Sequence, residues 1–276
     1  MGQVMGLWPG REKRRLVDAL RSKMRLLLPE DPGRERMVEL VRLFDPDARP
    51  AGAGRISVDG QRRIYLPQPT AVDPEAAAEA QAPPGFPIAY FVQLRGRSAP
   101  LDMSGAQRES RDMHQTAVLL VNGLAIRLGG LAWPIPKVAS EPLHAAIYAH
   151  RPVAATEVSS VVKRYASGLD EYQDVTLGSM GVSTWRTADG RLQMEFWPRT
   201  SPKAWWYPPE SVGEWRFHSS QLDVTVLRLA EPAGQADPAT ARTVGQIALA
   251  VAAATGGVCV DPLKFRVLKP DDLVMR

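Results

Sequence analysis

The chain has 276 residues, 45% of them hydrophobic, which is enough to bury a full core and too apolar for a wholly disordered polymer. Its 34 Lys and Arg against 30 Asp and Glu leave a formal charge of +4, far from the cationic excess of a dedicated nucleic-acid binder, and nucleic acid is not expected as a partner. The lone cysteine, Cys259, excludes an intramolecular disulfide and a cysteine-based zinc site; the expected location is cytoplasmic, and neither a metal nor a cofactor is expected.

Seven of the 34 basic residues are lysine, and the arginine, alanine and proline bias reads as the codon usage of a GC-rich bacterial genome. Arg11, Lys13, Arg14 and Arg15 are not followed by an unbroken apolar run, since Asp18, Arg21, Lys23 and Arg25 interrupt it, so a secretory signal is not expected. Residues 243–260 carry no charge, but their Ala, Gly and Thr content and the pair Gly256-Gly257 predict a buried helix followed by a buried strand rather than a transmembrane segment.

Residues 11–28 place Leu16, Val17, Leu20, Met24, Leu27 and Leu28 at helical spacing with arginines opposite, and Pro29 ends the pattern. Asp31 as N-cap and Pro32 predict a second helix carrying Met37, Val38, Val41 and Phe44, so the expected N-terminus is a basic helical hairpin. Ile56-Ser57-Val58 and residues 62–66 flank Asp59-Gly60, a hairpin-turn dipeptide. Residues 67–87, rich in Pro and Ala without apolar period, predict a linker between an N-terminal part, 1–66, and a main domain, 88–276.

In that domain the order strand, helix, Gly-Gly, strand occurs twice: 89–95, 112–128, Gly129-Gly130 and 131–133, then 222–229, 239–255, Gly256-Gly257 and 258–260. Setting the glycine pairs in register aligns Ala117, Leu120, Val121, Leu124 and Leu128 with Val244, Ile247, Ala248, Val251 and Thr255, and the strand ends Leu94-Arg95 with Leu227-Arg228. The expectation is an α+β fold of duplicated β-α-β units, copy one over 88–150 and copy two over 221–276, forming one mixed or antiparallel sheet with both helices on one face. The insert, 151–220, contains a second hairpin about Asp189-Gly190 and an aromatic, proline-rich loop.

No Walker A string, dinucleotide fingerprint, zinc-protease motif or nucleophile elbow is present. Asp112 and His114 open one predicted helix and Asp261 ends a strand, which makes them the candidate acid/base residues of a cleft between the copies. His144 and His150 would share a strand face, Ser160 and Lys163 match the S-x-x-K spacing, and Cys259 between valines reads as core. Trp205, Trp206, Tyr207 and Trp215 have the composition of a recognition surface, and Arg14 and Arg21 mark a basic helix. Too few ionisable groups converge for acid/base chemistry, so the expected function is a non-catalytic, protein-binding or accessory module with a protein partner. The alternatives are an enzyme acting on a small molecule between the repeats, and weak binding of nucleic acid or an anionic surface through the arginine-rich helix.

Overall fold

The computed structural model describes residues 10–58, 64–95, 105–134, 142–149, 151–172, 174, 178, 181–200, 211–212, 215–216, 222–232 and 235–274; for 105–112, 142, 199–200, 211–212, 215–216, 222 and 231–232 it describes the backbone alone. Helices and antiparallel sheets are mixed, an α+β arrangement. The chain divides into two compact units, residues 1–41 with 47–137 and residues 42–46 with 138–276.

The first unit contains α1 (Gly10–Ser22), β1 (Arg25–Leu28), α2 (Arg34–Phe44, its last turn assigned to the second unit), β2 (Arg49–Pro50), β3 (Ile56–Ser57), β4 (Ile64–Leu66), β5 (Thr70–Ala71), α3 (Pro74–Glu79), β6 (Ile88–Phe91), β7 (Gln93–Leu94), α4 (Gly105–Leu128) and β8 (Leu131–Trp133). The expected helical hairpin is replaced by helix, strand, helix. Leu26, Leu27 and Leu28 fit a helical stripe, but they also form the short apolar run of a strand buried on both faces, and tertiary pairing decides for the strand. β1 is a central strand of the sheet β5-β6-β1-β8, antiparallel to both β6 and β8.

Residues 67–87, expected as a linker, instead supply β5 and α3. Asp73 caps α3 by accepting the Ala76 N–H at 3.1 Å, Pro74 occupies the first turn, and Val72, Ala76 and Ala80 are buried with Leu16, Val17 and Leu20 of α1. The helix ends at Ala80, and Gln81 after it has a left-handed backbone, φ +57°. The hairpin around residues 59–60 is present as antiparallel β3 and β4, with its turn outside the described residues. The strand expected over 89–95 splits at Val92 between two sheets: β6 pairs with β1, and β7 pairs with β4 in the sheet β2-β3-β4-β7.

The second unit contains β9 (Pro142–Ala149), α5 (Ala155–Lys163), β10 (Leu169–Tyr172), β11 (Ser183–Thr187), β12 (Leu192–Thr200), β13 (Ser211–Val212), β14 (Trp215–Arg216), β15 (Leu222–Pro232), α6 (Pro238–Thr255) and β16 (Val258–Val260). Its main sheet has the order β10-β11-β12-β15-β9-β16, antiparallel throughout. α5 and α6 pack on one face, where Val158, Val162, Val244, Ile247 and Val251 meet Leu143, Ile147, Met194 and Leu227. Each such aliphatic side chain removed from water contributes about 1.5–3 kcal/mol. The β11–β12 hairpin turns at Gly190, whose φ of +71° meets the demand placed on that position. Phe44 lies against Phe265 with ring centroids 5.2 Å apart, and the Arg266 N–H donates to the Leu43 carbonyl at 2.7 Å.

The two strand-helix-strand segments therefore do not share a sheet; the single sheet with both helices on it is corrected to two sheets in two units. Local periodicity could not reveal this, because each segment takes its central strand from elsewhere in the sequence. β6 and β8 run parallel with β1 inserted between them, and β15 and β16 run parallel with β9 inserted between them. Including β5 and β12, the orders β5-β6-β1-β8 and β12-β15-β9-β16 place the first, second, third and fourth of these strands in the same spatial order, although α3 lies between β5 and β6 and the short strands β13 and β14 lie between β12 and β15. Ala89 and Leu131 both oppose Leu27, whereas Val224 and Val258 both oppose Tyr148, so the helix and last strand keep the register of the glycine pairs and the first strand is shifted two residues from the sequence alignment.

Both helices also end alike. Gly129 and Gly256 have φ of +63°, and the Gly130 and Gly257 N–H groups donate to Ala125 and Ala252 carbonyls, each at 2.8 Å, closing the same left-handed cap.

Candidate functional site

The candidate acid/base residues belong to different units. His114 is exposed on α4 in the first unit, and Asp112 lies on the same helix with only its backbone described. Asp261 belongs to the second unit and is buried; its Oδ1 accepts the Leu263 N–H at 2.8 Å and the Phe265 N–H at 2.9 Å. That geometry folds the turn after β16, which also holds Lys264 at φ +70°. Cys259 is buried in the core, and burial, with Asp261 and Asp272 adding to it, pushes its thiol far above the ordinary value.

Ser160 and Lys163 sit on the exposed side of α5, where the Ser160 hydroxyl donates to the Thr156 carbonyl at 2.7 Å. His144 is buried on β9, and His150 lies outside the described residues. Among the described residues no group of three His, Cys, Asp or Glu side chains is placed to hold a metal ion, and no helix is long and apolar enough to cross a membrane.

Two of the basic side chains of α1, Lys13 and Arg21, are met by α3. Lys13 bridges to Glu75 at 2.8 Å, a contact that raises the lysine pKa, and the Arg21 guanidinium donates to the Glu79 carbonyl at 2.6 Å. Arg14 is exposed, with Asp18 one turn further along the same helix. The apolar stripe of α1 is buried in its own unit, so it offers no face for insertion into a bilayer.

Trp205, Trp206 and Tyr207 lie outside the described residues, and Trp215 is placed by its backbone on β14, opposite Val212. What the structure adds is where this stretch is rooted. Thr200 at the end of β12 directly opposes Leu222 at the start of β15, so residues 201–221 leave and re-enter the sheet at one antiparallel pair.

A further grouping, not foreseen from the sequence, lies on the sheet face of the second unit away from α5 and α6. Leu143, Ala145 and Ile147 point to the helices, which turns His144, Ala146 and Tyr148 to the other face. Cross-strand register then sets Asp170, Arg186, Gln193, Arg228 and His144 side by side across five strands. Neighbouring pairs in such a row stand about 5 Å apart at Cβ. Glu195, buried in the adjacent row, lies 3.5 Å from the Arg228 guanidinium and accepts the Trp197 indole N–H at 3.1 Å. These two contacts offset the cost of burying the carboxylate. Arg186 stacks over the Tyr172 ring at 4.9 Å. The alternation Leu192, Gln193, Met194, Glu195, Phe196 is the one local signal of this row; its assembly depends on register between distant strands.

The second unit also has an open depression of about 180 Å³ between the β11–β12 turn and the start of α6, floored by Leu192, Leu229, Val244 and Ile247. On its rim Asp189 accepts the Thr187 hydroxyl at 2.6 Å and the Arg191 N–H at 3.1 Å, and at the helix start Asp237 caps Thr240 at 3.0 Å. Both contacts hold the carboxylates below their usual pKa.

The fold and these sites define an α+β protein with mixed helices and antiparallel sheets. No protein-family model, curated protein or solved structure matches the chain.

Proposed function

We propose that the chain is a non-catalytic binding protein of a bacterial cytoplasmic system and that it engages a protein partner through residues 201–221. The observation that carries this reading is the pairing of Thr200 with Leu222. Two residues suffice to turn between antiparallel strands at such a pair, so the remainder of the stretch is not required to connect them. It carries Trp205, Trp206, Tyr207 and Trp215 among Pro202, Pro208 and Pro209. Rigid aromatic side chains among prolines provide large contact area at low entropic cost.

The common spatial order of β5-β6-β1-β8 and β12-β15-β9-β16, with matching glycine caps, supports an internal duplication in which each copy is a whole unit rather than half of one sheet. The burial of the lone Cys259 is compatible with a reducing compartment.

The test is to replace residues 201–221 by Asn-Gly and compare cross-linked partners of the full and shortened chains in the native host. The reading expects one protein recovered in near-equal amount with the full chain and lost with the shortened one. Recovery of the same proteins by both, or of none by either, would overturn it.

A further inference from the structure

We draw no further inference here: the strongest candidate, the open depression between the β11–β12 turn and the first turns of α6, carries nothing, because its rim carboxylate Asp189 and the amino end of the helix are already engaged by Thr187, Arg191 and Asp237, and nothing in the structure shows what covers its apolar floor.

Discussion

A Cβ on Gly130 would run into the carbonyl oxygen of Leu27, and one on Gly257 would lie 2.9 Å from the carbonyl oxygen of Tyr148. In both units the second glycine of the pair lets the chain leaving the helix pass directly over the central strand. The first glycine has open space around it and needs only the left-handed backbone. Gly129→Ala and Gly256→Ala should therefore cost about 1–2 kcal/mol each, the strain of a left-handed alanine. Gly130→Ala and Gly257→Ala should cost about 1–3 kcal/mol more than their neighbours, because the obstacle is backbone and cannot turn aside. Urea unfolding of the four variants checks the order, and equal losses within each pair would contradict it.

Stability should fall at alkaline pH. Burial raises the Cys259 thiol above its ordinary 9.0, and burial raises the Tyr148 and Tyr90 phenols above their ordinary 10.0, with Asp31 adding to the shift of Tyr90. A raised folded value contributes stability that is complete below the unfolded pKa and is lost as pH rises towards the folded one, so the loss begins near pH 9. Arg25 acts with the opposite sign: burial lowers it from 12.5 to about 10, and it returns some stability above that pH. Between about pH 8 and about pH 10.5 the urea midpoint should drop, and Cys259→Val should drop less over the same interval. An identical drop in both proteins would show that the thiol is not held protonated by the fold.

Residues 74–79 form a helix whose cap and buried face are both identifiable, so they should resist proteolysis. Asp73→Ala should cost about 1 kcal/mol through loss of the cap. Ala76→Glu, which forces a charge between α1 and α3, should expose residues 67–87 to limited proteolysis. Rapid cleavage there in the unmodified protein would restore the linker interpretation.

Asp261 offers a clean separation of structural and chemical roles. Asp261→Ala removes the acceptor of two buried N–H groups and should cost about 2–4 kcal/mol, whereas Asp261→Asn keeps an oxygen at Oδ1 and should cost clearly less. Thermal unfolding measures both; equal destabilisation would mean that charge rather than hydrogen bonding holds the turn.

The parts legible in the sequence are those fixed by local chemistry. The helices ending at Leu128 and Thr255, their glycine caps and the hairpin at Gly190 each announce themselves within a few residues. What departs from the sequence pattern depends on distant pairing. Leu26, Leu27 and Leu28 become a strand because β6 and β8 flank them, 60 or more residues away in sequence. α3 carries no strong apolar period, because its buried residue is Ala76, with Ala80 buried at the C-cap. The row from Asp170 to His144 exists only once five strands are in register. The place of Asp261 at the end of a strand is legible in the sequence, but its two backbone bonds require the turn itself.

The central claim is that residues 201–221 serve recognition and not the core, and thermal unfolding of the chain with this stretch replaced by Asn-Gly tests it most directly. The account predicts a cooperative transition within about 2 °C of the full chain, since a change below about 1 kcal/mol moves a midpoint by only a few degrees. A fall of about 10 °C or more, or loss of the cooperative transition, would show that Trp205, Trp206 and Tyr207 seal the fold and would contradict the proposal.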